Sequence, residues 1–315
     1  MESPTDVNSD PLRFDLIVHP DWIIPVAPRG QVLADHSLCV ANGAIAAIIP
    51  TDQARAMAAD EHLELPDHVL IPGLINGHGH AAMSLLRGFA DDYPLMQWLQ
   101  EHIWPAEAAF VSEQFVKDGS DLAIAELILG GATTFSDMYF YPEITAERVE
   151  LAGLRAQLCF PIMDIATGWA SGPEQCLNKG LELRDRYIEH DRIEIGFGPH
   201  STYTLNEASL QQVATLANEL DAPLQIHLHE TRGEVQVALE ATGDRPIAQL
   251  ARHGMLGPRT QCVHMKDVID EDIQLLNANG SHVIHCPRSN MKLANRSRWA
   301  LKCNHWLSVF ESACH

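Results

Sequence analysis

The sequence predicts an α/β protein: a parallel (β/α) barrel preceded by a small β module. Three observations carry this expectation. From Ile71 onward, short apolar strands alternate with helical stretches, and repeated βα units argue for a parallel sheet covered by helices. There are seven such strands, which favours a barrel over an open sheet. Nearly every conspicuous polar residue stands at the end of one of them, the face where barrel enzymes assemble their sites.

The first seventy residues read as strands and turns. Phe14–Val18, Trp22–Val26, Ser37–Ala41 and Ala44–Ile49 are strand candidates, with turns at Pro28-Arg29-Gly30 and Asn42-Gly43. Asn-Gly between apolar runs is a hairpin signal. The barrel strands are expected at Val69–Ile75, Thr133–Met138, Ala156–Ile162, Ile193–Phe197, Leu224–Leu228, Gln261–His264 and His282–His285. Helices are expected near Glu113–Leu129, Thr145–Ala152, Glu207–Leu220, Pro246–Ala251 and Glu271–Ala278. In Glu207–Leu220 the apolar residues Leu210, Val213, Leu216, Ala217 and Leu220 fall on one helical face. Thr204 and Glu207 have the spacing of a capping box.

Composition narrows the function. Hydrophobic residues make up 46% of the 315, enough for a sizeable core. Acids outnumber bases 42 to 21, a net charge of −21. Phosphate backbones and anionic lipid should repel such a chain, so neither a nucleic-acid partner nor a membrane is expected. No apolar run approaches the roughly 20 residues of a membrane span. Met1 to Asp10 carries no basic or apolar signal region, so no secretion signal is expected. The seven cysteines are scattered without a C-x-x-C, which fits a reduced cytoplasm, and Cys159 and Cys262 read as small buried thiols.

The 17 histidines are the chemical signal, because imidazole is the commonest metal ligand. The first barrel strand ends in Asn76-Gly77-His78-Gly79-His80. Alternate strand residues share a face, so His78 and His80 can point together into the barrel mouth. The fifth ends in Ile226-His227-Leu228-His229-Glu230. It offers His227 as a third imidazole and Glu230 as a proton carrier, with His229 open as a pocket residue or further ligand. The fourth and sixth strands end at His200 and His264. Histidines at four strand ends suit a first-row metal such as zinc. His19, His36, His62, His68, His102, His190 and His253 read as loop or polar helix-face residues. His282 and His285 flank the seventh strand and stay undecided.

These motifs resemble the amidohydrolase superfamily, and within it the methylthioadenosine/S-adenosylhomocysteine deaminase and triazine-hydrolase-like branch. The resemblance is carried in order by Pro72-Gly73-Leu74-Ile75-Asn76-Gly77-His78-Gly79-His80, Leu85-Leu86-Arg87-Gly88, Trp98-Leu99, Trp104-Pro105-Ala106-Glu107, Gly198-Pro199-His200-Ser201, His227-Leu228-His229-Glu230-Thr231, Val263-His264-Met265 and Cys286-Pro287-Arg288-Ser289-Asn290. It implies a metal-dependent (β/α)8 TIM-like barrel with a small β-sandwich-like module and one divalent metal ion, usually zinc. His78, His80 and His227 would hold the metal. Glu230 would shuttle protons and hold a ring nitrogen. His264 would orient and polarise the attacking water. His200 and Glu107 would contact substrate, Glu107 through ribose hydroxyls. The implied reaction is hydrolytic deamination of 5′-methylthioadenosine or S-adenosylhomocysteine to the inosine form and ammonia. A triazine-ring hydrolase on the same site is the alternative, and an inactive metal-binding remnant is a reading of another class. Homo-oligomerisation is common in the family.

The sequence departs from the family after Ala294. The family pattern continues with an eighth strand ending in Thr-Asp-Gly, whose Asp is a metal ligand and base, and no such segment follows here. Residues 295–315 carry two of the six Trp, two of the seven Cys, and three bases against one acid. The expected organisation is therefore a β module over 1–70, seven of eight barrel strands over 71–294, and a non-family tail over 295–315, as from truncation or frameshift. Such a chain is expected to be poorly stable, with weak or no catalytic activity.

Overall fold

The computed structural model describes residues 13–90 and 93–292, which form two compact units dividing at Gly73–Leu74. The expected tail lies outside the described residues.

The first unit is a five-stranded sheet. It consists of β1 (Phe14–Ile23), β2 (Leu33–Ala34), β3 (His36–Ala41), β4 (Ala44–Pro50), the short helix α1 (Thr51–Ala54) and β5 (Ala59–Leu70). β1 is central: β2 and β3 pair with it antiparallel and β5 parallel. The hairpin turn between β3 and β4 is at Asn42-Gly43, with positive φ at both residues (53° and 71°), as a type I′ turn requires. The two strands expected over Phe14–Val26 are one continuous strand ending at Ile23, because a register shift between Pro20 and Trp22 absorbs the proline. β5 went unpredicted because its mostly exposed, charged residues show no apolar alternation. His36, His62 and His68 are strand residues, not loop residues, and His19 is a buried one.

The second unit is a parallel sheet of seven strands in chain order. They are β6 (Leu74–Asn76), β7 (Ala132–Asp137), β8 (Arg155–Ile162), β9 (Ile193–Pro199), β10 (Leu224–Leu228), β11 (Thr260–His264) and β12 (His282–Ile284). The sheet is strongly curled. Four strand spacings would separate β6 from β10 by about 19 Å in a flat sheet, yet Gln225 Nε2 on β10 lies 3.1 Å from the carbonyl of Gly77, just after β6. The concave face is therefore a barrel interior, as the sequence predicts. The expected first strand, Val69–Ile75, is divided between β5 and β6 at Pro72-Gly73.

Helices accompany the strands. In chain order they are α2 (Leu95–Gln97), α3 (Trp104–Phe110), α4 (Glu113–Leu129), α5 (Pro142–Ala152), α6 (Pro173–Tyr187), α7 (Glu207–Glu219), α8 (Arg232–Thr242), α9 (Pro246–Arg252), α10 (Asp270–Asn279) and α11 (Pro287–Lys292). Of these, α2 and α3 line the cavity at the mouth of the sheet. A π-helical turn, Trp98–Ile103, joins α2 to α3. The core includes Phe160 and Phe197, both fully buried with ring centroids 4.9 Å apart. α6 presses so closely on β8 that a Cβ at Gly180 would run into the Phe160 ring. Helix α7 is capped by Asn206, which accepts from Ser209 N at 3.0 Å, so the expected Thr204–Glu207 capping box does not form. Thr204 instead bonds Ser201. No helix among the described residues is long and apolar enough to cross a membrane.

Candidate metal centre and active-site cavity

Four imidazoles meet at the C-terminal end of the curled sheet. His78 and His80 follow β6, His227 lies in β10, and His264 ends β11. The His78 ring centroid is 4.8 Å from those of His80 and His227 and 6.1 Å from that of His264. Ligand atoms of His78, His227 and His264 all lie within 4.8 Å of one another. Of the strand-end histidines the structure brings together His78, His80, His227 and His264, with the His200 ring centroid 4.9 Å from that of His227.

The Nδ1 partners decide what the rings can do. His80 Nδ1 faces the Met138 carbonyl at 2.7 Å and His227 Nδ1 the His200 carbonyl at 2.8 Å. A carbonyl only accepts, so both rings donate from Nδ1 and present Nε2 as a lone pair. His78 Nδ1 faces Gln225 Oε1 at 2.7 Å. Nε2 of His78 and Nε2 of His227 then stand 3.1 Å apart. Two lone pairs at that distance repel unless a cation or proton lies between them. Two imidazole nitrogens bound to one zinc at about 2.0–2.1 Å and a tetrahedral angle would stand about 3.3 Å apart. The donor set fits a small divalent cation of the nitrogen-preferring kind. Burial reinforces this, because desolvation drives the His227 pKa well below its usual value and lowers that of His80. Neutral imidazoles are the form that ligates.

Glu230 is buried beside this cluster, with Oε1 3.4 Å from His264 Nε2. Burial raises its pKa to about 7, against the opposing pull of Lys266 and His80. A carboxyl poised there can hold or release a proton near neutral pH. The same desolvation lowers His264 and His200 to about 3. The imidazoles and Glu230 line a cavity of about 270 Å³. Its walls are largely apolar, among them Leu95, Leu99, Ile103, Trp104, Met163 and Ile165, and His200 and Glu107 also line it. Glu107, on α3, accepts from the Tyr139 hydroxyl at 2.8 Å and is raised to about 7 by burial.

His229 is not in this cluster. It takes a left-handed φ of 52° just past the end of β10, which breaks the strand alternation and turns its ring away from His227. Fully buried, the ring bonds the Asp267 carbonyl at 2.9 Å and accepts from Ile247 N at 3.1 Å, near the bidentate Arg245–Asp272 pair. Sequence reasoning also passed over Gln225, Asp137, Tyr139 and Glu234. Asp137 accepts from Ala81 N at 2.5 Å, just after His80. Glu234 accepts from the backbone N–H groups of His229 and Glu230 at 3.1 and 2.7 Å, holding the turn that aims Glu230. The available signal was Gln225 itself, a polar residue in an apolar strand and on the same face as His227.

A curled parallel barrel wall with a cluster of strand-end imidazoles and a buried acid defines a class of metal-dependent hydrolase site. The amidohydrolase family profile matches residues 69–310, and the chain belongs to that family. It is 53% identical over 282 residues to a 5-methylthioadenosine/S-adenosylhomocysteine deaminase of Saccharophagus degradans, covering 89% of this chain and 63% of that protein. The chain thus spans somewhat less than two thirds of that relative's length. A crystal structure of an adenosine deaminase from Xanthomonas campestris with bound zinc superposes with a TM-score of 0.89 at 41% identity, over 91% of this chain and 66% of that one. A triazine hydrolase from Arthrobacter aurescens superposes with a TM-score of 0.83 at 18% identity, over 90% of this chain and 68% of that one. At that identity the likeness concerns the fold.

Proposed function

We propose that this chain carries the active site of a metal-dependent deaminase of adenosine 5′-derivatives, 5′-methylthioadenosine or S-adenosylhomocysteine. One observation carries the reading: Nδ1-anchored imidazoles turn facing Nε2 lone pairs toward one point, beside a buried near-neutral carboxyl, in an apolar cavity that also holds Glu107. The name of the 53%-identical relative supports the substrate class.

In this reading His78, His80 and His227 hold one divalent ion, zinc by preference. The family resemblance assigns His80 rather than His264 to the ligand set, although the ligand atoms lying within 4.8 Å of one another are those of His78, His227 and His264. An ion held there would supply Lewis acidity, lowering the pKa of water from about 15.7 toward 7. His264 orients the attacking water. Glu230 takes its proton and passes it to the neighbouring purine ring nitrogen. The new C–O bond forms at the amine-bearing carbon, Glu230 then relays the remaining proton of the new hydroxyl to the amine, and the C–N bond breaks to release ammonia and leave a carbonyl. His200 contacts the base. Glu107 accepts from ribose hydroxyls, while the apolar walls take the 5′-thioether.

Glu107 separates this reading from a triazine hydrolase on the same metal, since a triazine has no hydroxyls for it. The test offers the zinc-loaded chain S-adenosylhomocysteine, 5′-methylthioadenosine and a chlorinated or alkylamino triazine. Ammonia release confined to the nucleosides supports the proposal. Preference for the triazine overturns it, and bound zinc with no turnover of any of them makes the chain a metal-binding remnant.

A further inference from the structure

We propose that Gln225 is a positioning residue that locks His78 in the tautomer metal binding requires. This rests on the reading of His78 as a ligand. The tautomers of His80 and His227 are set by backbone carbonyls, which no substitution removes. That of His78 is set by a side chain. Gln225 is fully buried; the two protons of its Nε2 reach the Gly77 carbonyl at 3.1 Å and Gln261 Oε1 at 2.6 Å, and Ser136 Oγ lies 3.0 Å away.

The Gly77 carbonyl decides the orientation. It can only accept, so the amide atom facing it is nitrogen. The other amide atom, Oε1, must then face His78 Nδ1, so Nδ1 carries the proton and Nε2 is left as a lone pair. Turning the amide over would set two oxygens against each other at Gly77 and two donors, or a donor and a displaced proton, at His78. Gln261 holds Gln225 in turn. Gln157 and Gln261 exchange amide bonds at 2.9 and 3.1 Å, which leaves Gln261 Oε1 as the acceptor Gln225 needs. The belt joins β7, β8, β10 and β11 and the loop after β6 beneath the imidazoles. Partners of this kind that orient a ligand typically change metal affinity 10–100-fold when lost.

Two substitutions test this in the full chain. Gln225→Met keeps the side chain's length and removes its acceptor; Gln225→Glu, as the buried acid whose O–H takes the place of the amide N–H toward the Gly77 carbonyl, keeps an oxygen toward His78. In the metal-free protein, ¹⁵N chemical shifts of the His78 imidazole report which nitrogen carries the proton. The expected wild-type signature is a protonated Nδ1 and a bare Nε2. It should be lost in Gln225→Met and kept in Gln225→Glu. Zinc affinity by chelator competition should fall about 10–100-fold in Gln225→Met and stay within about tenfold in Gln225→Glu. An unchanged tautomer or unchanged affinity in Gln225→Met overturns the proposal, as does equal weakening in both variants, the mark of simple packing. If Gln225→Met does not fold, the wild-type spectrum still decides, because a His78 proton found on Nε2 overturns the proposal. A wild-type chain that binds no zinc defeats the ligand reading instead, while the nitrogen shifts still judge Gln225.

Discussion

Each unit of the molecule holds a pair of histidines in close contact, and the two pairs do different things. In the β module, His19 Nε2 lies 2.9 Å from His62 Nδ1, with the rings nearly parallel at 9°. In the barrel unit, His78 Nε2 lies 3.1 Å from His227 Nε2, with the rings at 84°. The distances are almost equal; the difference is what holds the far nitrogen. His19 Nδ1 meets the Ser37 hydroxyl at 2.7 Å, and Ser37 in turn reaches Thr51 at 3.0 Å. A hydroxyl donates or accepts, so the rings can adopt complementary tautomers and share a hydrogen bond. His78 and His227 have acceptors on both Nδ1 atoms, so neither Nε2 has a proton to offer. One contact is complete within the protein; the other, in the proposed reading, would be completed by a cation. Proximity of two histidines therefore does not make a metal site. The partners behind them do.

The largest expected effect tests that contrast directly. His78→Ala and His227→Ala should each lose bound zinc, whereas His19→Ala and His62→Ala should retain about one ion per chain. Metal analysis of the purified proteins decides it, and zinc retained by His227→Ala would erase the distinction. Added zinc should also raise the stability of the wild type by about 4 kcal/mol at a thousandfold excess over its dissociation constant, and that of His78→Ala hardly at all.

Next in size, Glu230→Gln should keep the metal and lower ammonia release about 10²–10⁴-fold, the usual contribution of a positioned proton carrier. Loss of zinc in that variant would place Glu230 among the ligands. Glu107→Gln should be milder, raising KM for a ribonucleoside about tenfold or more with kcat little changed, as expected for a charged hydrogen bond to substrate. A fall in kcat alone would remove Glu107 from ribose binding.

The smallest effect concerns the β module. Burial lowers the His19 pKa, against the opposing Glu64 carboxylate and with Arg55 and His62 adding to the lowering. The folded module thus holds His19 neutral, while the unfolded chain takes up a proton below about pH 6.5. The associated stability is present above that pH and is lost as the pH falls. Amide exchange at Ile17 and Val18 should therefore accelerate from about pH 7.5 to about pH 5.5, after correction for intrinsic exchange. The acceleration should be smaller in His19→Leu. Equal acceleration in both would show that the pair does not hold His19 neutral.

Local pattern made much of the molecule legible. The apolar strands ending in His78, His200, His227 and His264 stood out because strand periodicity and strand-end chemistry are properties of a few neighbouring residues. The Asn42-Gly43 hairpin was readable for the same reason. β5 was not, because a strand rich in charge carries no apolar alternation, and the partner that pairs with it, β1, is distant in sequence. His229 misled because alternation holds only while the strand continues, and a left-handed residue ends it.

By itself the sequence determined which residue types reach the barrel rim and the family to which they belong. Only the tertiary structure decided which nitrogen of each ring is available and why. His78 meets Gln225 across 147 residues of chain, and Tyr139, in the loop after β7, meets Glu107 on α3. No local pattern encodes such contacts; they arise because the sheet curls and brings its distant strands face to face.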